Sequence, residues 1–299
     1  MGRAWLCSVT CFDASGALDL AAQATLWERA ARAGVGIYVA GSSPGEGYAL
    51  RPDEVVALLG LGIEVARGRV PIRAMGVEPR HAPQMIELLA LAKQGGADAA
   101  QIYSLDVGHG GKPTASELER YLRRSLEASA IPVALSSHAF IGYLLPVSLI
   151  EQLAREYPHL VGVNVTTPDI PYLSEVVDRL RGRLEICVGG PMHAVTALAL
   201  GADGFLSTEA ALVPDRCSAL VASFERGDHA AAFAAHAELM RWMRATSVVP
   251  GASVRRTKAA MAVLGLAGTG VREPHAPLEI TEIDALRTEL RRLGLAASA

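Results

Sequence analysis

Two serines in a glycine-rich segment are the first candidates for substrate binding. Ser42 and Ser43 lie within segment 41–47, which also contains Glu46. Hydroxyl groups and backbone N–H groups beside a helix start can hold a carboxylate or a phosphate. The same composition is found in Gly/Ser turns that bind nothing, and Glu46 could be a general base, a cap or a surface charge. We predict that all three side chains contact a substrate.

The candidate proton carriers are two histidines and their polar neighbours. Histidine titrates near neutral pH and often serves as a general acid or base. An amide side chain can donate a hydrogen bond to a developing oxyanion, the role we predict for the asparagine of this set. The sequence does not distinguish a proton carrier from a loop histidine that bonds only to backbone. The prediction therefore depends on these side chains lying together. The predicted catalytic residues are His109, His138, Asn164, Ser136 and Tyr103.

A divalent metal could in principle be held by three histidines and an aspartate in the same segments. These residues are His109, His138, His193 and Asp106. No pair among them has a recognised ligand spacing, so we predict neither a metal nor a cofactor. Gly189 and Gly190 are also predicted to contact the substrate.

The polar segments follow short apolar runs, and each apolar run is followed by a helical pattern. Continuous apolar runs are typical of parallel strands that are covered on both faces. The runs are 5–10, 35–40, 70–75, 97–103, 131–136, 160–164, 184–188 and 204–207. The helical patterns are 20–33, 52–67, 82–95, 115–129, 146–157, 171–180, 192–200 and 215–226.

Eight strand–helix units in this length predict an α/β fold, a (β/α)8 TIM barrel. An open doubly wound sheet is the alternative, but its phosphate-binding glycine pattern is missing after the first run. We predict that residues 1–228 form the barrel. Residues 229–299 form a C-terminal helical extension of the same domain, with helices over 229–246, 254–265 and 280–293. In such barrels the active site lies at the C-terminal ends of the strands, where the polar segments are placed.

The overall composition excludes several classes of protein. Of the 299 residues, 51% are hydrophobic, which is too many for a disordered chain. No apolar run approaches the roughly 18 residues that a membrane span needs. The net charge of −3 offers no attraction for nucleic acid or an anionic membrane. Four scattered cysteines do not form a disulfide scaffold, and the first residues do not have the order of a signal peptide. We expect a cytoplasmic protein whose partner is a small molecule.

Several collinear segments resemble the dihydrodipicolinate synthase/N-acetylneuraminate lyase family of class I aldolase barrels. Segment 10–19 resembles the family's T-P-F-x-x-D-G-x-[IV]-D opening, and 41–46 resembles its G-T-T-G-E carboxylate loop with an insertion at Pro44. Further similar segments are 112–114, 189–191, 199–204, 257–261 and 271–274. The resemblance spans about residues 9–278. It implies the barrel fold, a small carboxylate substrate and a homotetramer or homodimer.

The catalytic positions of that family are not retained. Its members form a Schiff base on a lysine that ends strand 6 in a G-[IL]-K-[ED] motif. In this chain segment 162–165 reads G-V-N-V, and Asn164 stands in place of the lysine. The tyrosine of its strand-5 motif is also replaced, by the segment that contains Ser136. Only a primary amine can form an imine. Among the lysines Lys93, Lys112 and Lys258, only Lys112 is expected on the correct face.

Three functions remain open from the sequence. The first, which we predict, is a lyase that acts on a small 2-oxo or hydroxy carboxylic acid by aldol chemistry or by hydration and dehydration, without a Schiff-base lysine. The second is a metal-assisted lyase of the class II type. The third is a catalytically inactive barrel that serves as a binding or regulatory subunit. The number of ionisable side chains predicted at one rim favours an enzyme.

Overall fold

The computed structural model describes residues 2–295, in which eight parallel strands close into a barrel in chain order. The last strand pairs with the first, so that Ala4 lies opposite Phe205. The strands are β1 (Arg3–Cys7), β2 (Gly36–Val39), β3 (Ile72–Ala74), β4 (Ala99–Ile102), β5 (Val133–His138), β6 (Leu160–Thr166), β7 (Glu185–Gly189) and β8 (Gly204–Ser207). This arrangement confirms the predicted (β/α)8 barrel.

Helices cover the outside of the barrel and continue beyond its last strand. Within residues 2–295 they are α1 (Leu20–Arg32), α2 (Pro52–Ala66), α3 (Ala82–Gln94), α4 (Ala115–Ala128), α5 (Val147–Glu156), α6 (Ile170–Leu180), α7 (Ala194–Leu200), α8 (Pro214–Glu225), α9 (His229–Thr246), α10 (Ser253–Val263) and α11 (Ile280–Arg292). Local signals define their ends. Thr114 and Glu117 form a capping box at α4, and Gly201 ends α7 with a left-handed φ of 108°.

Buried hydrophobic side chains form two separate clusters. The larger one lies between the strands and the surrounding helices. The smaller one consists of Trp5, Tyr38, Met75, Tyr103, Cys187 and Leu206. Charged groups accompany this second cluster, because Arg73 on β3 pairs with Glu185 on β7 at 2.6 Å and lies 4.0 Å from the Trp5 ring centroid. As in other barrels of this type, side chains fill the interior.

The C-terminal helices α9 and α10 pack on the barrel, and α11 packs on α9 and α10. They confirm the predicted helical extension as far as residue 295, and residues 296–299 lie outside the described part of the chain. The boundary between barrel and extension at residue 228 stays a prediction. None of the helices in residues 2–295 has the length and apolar character that crossing a bilayer requires.

Candidate active site

A cavity of about 370 Å³ opens at the C-terminal ends of the strands. It is formed where the loops after β2, β3, β5, β7 and β8 converge, because the C-terminal ends of barrel strands share one rim. Eight of the predicted site residues line it: Ser42, Ser43, Tyr103, Ser136, His138, Asn164, Gly189 and Gly190.

His138 ends β5 and is 3% exposed, yet neither ring nitrogen has a hydrogen-bond partner among the described residues. Its Nε2 lies 3.7 Å from Glu78 Oε1, and its ring meets the Tyr103 ring edge-on with centroids 5.6 Å apart. Burial lowers the pKa of His138, and the charges of Glu78 and Asp106 oppose that shift. The imidazole is therefore neutral near pH 7 and able to accept a proton.

Asn164 occupies β6 at the bottom of the cavity. Its Nδ2 donates to Tyr38 Oη at 3.0 Å and to Gln101 Oε1 at 2.6 Å. Tyr38 is itself held by Arg73, whose Nη1 donates to the same phenol oxygen at 3.2 Å. Both amide hydrogens are used within the barrel, so Oδ1 is the atom that Asn164 offers to a ligand. This differs from the predicted role of Asn164 as a donor to an oxyanion.

Glu46 does not line the cavity, and its position does not support the predicted substrate contact. It has a left-handed φ of 51° and is 0% exposed. Its carboxylate pairs with Lys258 Nζ and accepts from the backbone N–H of Arg272 at 2.9 Å. Lys258 also donates to the carbonyl of Gly270 at 2.5 Å. Glu46 thus joins the strand-2 loop to the C-terminal extension.

His109 is also outside the cavity, contrary to its predicted position. It is exposed at a left-handed φ of 51° in the loop after β4. The neighbouring Asp106 pairs with Arg80 at 3.1 Å. In residues 2–295 no group of three or more His, Cys, Asp or Glu side chains has the arrangement of a metal site. The rim histidines are therefore not gathered around a common point, as the metal-assisted alternative requires.

No lysine of the chain lines the cavity. Lys93 and Lys112 are exposed, and Lys258 is fully buried beside Glu46. Burial lowers the pKa of Lys258, and the Glu46 charge opposes the shift. Its amine is occupied by two acceptors and is not directed at the cavity. The described structure thus places no amine where an imine with a bound substrate would form.

Sequence reasoning missed two carboxyl groups in the cavity, Glu78 and Glu209. Glu209 follows β8, is 9% exposed and accepts a hydrogen bond from Ser207 Oγ at 2.7 Å. Burial raises its pKa, and the bond from Ser207 opposes the shift. Both residues follow strand ends, so applying the strand-end rule to β3 and β8 as well would have found them.

Arg256 was missed for a different reason. It lines the cavity together with Ser253 and Thr257, and all three belong to α10 of the extension. The strand-end rule concerns the barrel alone and carries no information about a helix that follows it. A signal for these residues could come only from knowing where α10 packs.

The fold and the cavity define a (β/α)8-barrel protein with a strand-end site, where enzymes of this architecture bind small molecules. The chain belongs to the Dihydrodipicolinate synthetase family, whose model matches residues 2–293. It is an aldolase-like member of that lyase family.

Relatives match along nearly the full chain. The 4-hydroxy-tetrahydrodipicolinate synthase of Pseudomonas aeruginosa is 30% identical over 291 residues, with 97% of each chain covered. The enzyme of the same name from Hyphomonas neptunium is 33% identical, with 87% of each chain covered. Among solved structures, a prophage protein of the dihydrodipicolinic acid synthase family from E. coli K12, in complex with pyruvate, has a TM-score of 0.89 and 26% identity, with 99% of each chain covered.

Proposed function

We propose that this chain is a lyase that acts on a small 2-oxo or hydroxy carboxylic acid without forming a lysine imine. One observation carries the proposal: the cavity places the unpartnered imidazole of His138 beside a hydroxyl-bearing loop, while none of the three lysines lines it. The reaction breaks or forms a carbon–carbon or carbon–oxygen bond.

The substrate class is supported by the relatives and by the size of the cavity. A structural neighbour at 26% identity was solved in complex with pyruvate, and relatives are named 4-hydroxy-tetrahydrodipicolinate synthase. A cavity of about 370 Å³ is of the size of small-ligand pockets. Ser42 and Ser43 would contact the carboxylate, and the backbone at Gly189 and Gly190 would border the rest of the substrate.

Both reaction types need one group that removes a proton and one that supplies a proton. We assign removal to His138, whose pKa is lowered by burial, and supply to Glu209, whose pKa is raised by burial. In a dehydration, His138 takes the proton of the C–H bond, whose electron pair forms the C=C bond. The C–O bond breaks, and the hydroxyl leaves as water with the proton of Glu209. Solvent then restores both groups.

In an aldol cleavage the same two residues would act on different atoms. His138 takes the hydroxyl proton, and the electron pair of that O–H bond forms the C=O bond of one product. The C–C bond breaks, its electron pair moves to the carbon beside the substrate's carbonyl, and Glu209 protonates that carbon. Burial raises the pKa of Tyr103 well above its ordinary value, so its phenol stays protonated. Tyr103 and Ser136 assist as hydrogen-bond donors to substrate oxygens.

The alternative of an inactive binding subunit fits the paired charges elsewhere and gives His138 no role in proton transfer. A buried imidazole without a partner costs about 1–3 kcal/mol of stability, and a lyase uses its free nitrogen as a base. The metal-assisted alternative has no supporting cluster among residues 2–295. The lyase without a lysine imine accounts for the site best.

Two measurements test the proposal. Reduction with sodium cyanoborohydride in the presence of pyruvate should leave the protein mass unchanged, while a family enzyme with the lysine gains the mass of a reduced adduct. A thermal-shift screen of 2-oxo and hydroxy acids, with and without EDTA, should show a ligand that raises Tm in a Ser42-dependent way. A covalent adduct, or binding that EDTA abolishes, would contradict the proposal.

The family resemblance also predicts a homotetramer or homodimer. Light scattering coupled to size exclusion measures the mass of the assembly directly, and a particle of 31.4 kDa would show a monomer instead.

A further inference from the structure

One wall of the cavity comes from the C-terminal extension and not from the barrel strands. Ser253, Arg256 and Thr257 of α10 line it, together with Met243 and Thr246 of α9. Residues three and four positions apart lie on one face of a helix. The three α10 side chains therefore share one polar face of the helix.

Arg256 has no carboxylate partner in the described part of the chain. Its Nε donates to the carbonyl of Val249 at 3.2 Å, which holds the guanidinium in place. The preceding residue differs, because Arg255 pairs with Glu282 at 2.7 Å and donates to the carbonyl of Pro250 at 2.9 Å. Among the described residues lining the cavity, Arg256 is the only lysine or arginine.

The Arg256 face adjoins the serine loop. Ser43 Oγ lies 2.9 Å from Ser253 Oγ, so the loop after β2 and the start of α10 are in direct contact. Ser253 is the first residue of α10, and the preceding Ala252 supplies no side-chain cap. The positive end of the helix dipole is therefore available to an anion beside Arg256. Hydroxyls, helix end and guanidinium meet at the same side of the cavity.

We propose that Arg256 binds the substrate's carboxylate at this face, and that the hydroxyl hydrogen left free by the Ser43–Ser253 pair donates a further hydrogen bond. The inference rests on the proposed function and names the residue that selects an acid. Serine hydroxyls and backbone N–H groups bind a carboxylate and a neutral amide alike, whereas a guanidinium forms charge-assisted bonds only with the carboxylate.

The test compares acids with their own amides. Pyruvate with pyruvamide and lactate with lactamide are titrated into the full-length protein by calorimetry. The wild-type chain should bind at least one acid more tightly than its amide. Arg256→Gln should weaken binding of that acid by about 10- to 100-fold and leave the amide unchanged, and Arg256→Lys should recover part of the loss.

Arg244→Gln is the matched control, because Arg244 is exposed on α9 outside the cavity and its loss removes the same charge from the extension. Arg244→Gln should bind the acid with the same affinity as the wild-type chain. Thermal unfolding of each variant establishes that it is folded. If Ser42→Ala weakens acid binding while Arg256→Gln does not, the inference is wrong and the proposed function stands. If no acid binds the wild-type chain, both are wrong.

Discussion

Two groups of ionisable side chains, one around Glu46 and one in the cavity, differ in how fully they are paired. In the first group, Glu46 accepts from Lys258 and from the backbone of Arg272. The Arg272 guanidinium in turn pairs with Glu54 at 2.7 Å, and this bond lowers the pKa of Glu54 to about 2. In the cavity, His138 has no hydrogen-bond partner within residues 2–295.

The difference separates a structural cluster from a chemical one. In the Glu46–Lys258 cluster each charge meets an opposite charge or a carbonyl, which offsets the cost of burial. In the cavity, burial moves the pKa of His138 down and that of Glu209 up, so burial favours the neutral form of both side chains. Groups held in this way can exchange protons with a substrate. In this barrel, a buried polar group that lacks a hydrogen-bond partner therefore indicates function better than burial alone does.

The largest expected effect comes from breaking the paired cluster. Lys258→Met leaves the Glu46 carboxylate buried without its cation, and we expect a loss of about 3–5 kcal/mol in the free energy of unfolding. Urea denaturation measures it. The double variant Glu46→Gln/Lys258→Met should recover at least half of the loss, since no charge is then stranded. A single variant within about 1 kcal/mol of the wild type would show that the cluster does not hold the loop.

In the cavity, a substitution should lower activity and leave stability almost unchanged. His138→Gln should lower kcat/KM for the acid found by ligand screening by about 100-fold or more. Its Tm should stay close to that of the wild type, because the imidazole makes no hydrogen bond that the substitution would break. His229→Gln, at an exposed position on α9, is the control and should keep both quantities. If His138→Gln loses stability as well as activity, His138 has a structural role like that of the Glu46–Lys258 pair.

A smaller, pH-dependent effect is expected at Glu209. Because its folded pKa is raised, its contribution to stability is full below the ordinary glutamate pKa and is lost as the pH rises through the folded value. Glu209→Gln should therefore unfold less readily than the wild type at high pH, by about 1.4 kcal/mol for each unit of pKa elevation. The two chains should converge near pH 4. If the difference in the free energy of unfolding between the two chains stays constant from pH 4 to 9, the assignment of Glu209 as a proton donor is wrong.

The smallest effect concerns the electrostatics around His138. The negative charge of Glu78 opposes the burial that lowers the pKa of His138, so Glu78→Gln should lower that pKa further. The acid limb of the kcat/KM profile should then move to lower pH by less than about one unit. Stability should also begin to fall at the ordinary histidine pKa as the solution is acidified, because the folded state resists protonation of His138. A shift of the limb to higher pH would be inconsistent with this arrangement.

Local patterns in the sequence were enough for the fold and for much of the site. Strands buried on both faces must be continuously apolar, and helix ends need caps such as Thr114 and Gly201. Once the order of strands was established, the strand-end rule placed residues such as Ser42 and His138 around one cavity without further information. These inferences depend only on neighbours in the chain or on the repetition of one unit.

The tertiary structure alone decided how individual side chains are used. Glu46 and Lys258 are 212 positions apart, and only their contact shows that the glutamate turns away from the cavity. The amide hydrogens of Asn164 are occupied by Tyr38 and Gln101 of other strands. Arg256 reaches the cavity because α10 packs beside the strand-2 loop. Hydrogen bonds and burial are properties of atoms brought together by folding, and the spacing of residues along a chain does not contain them.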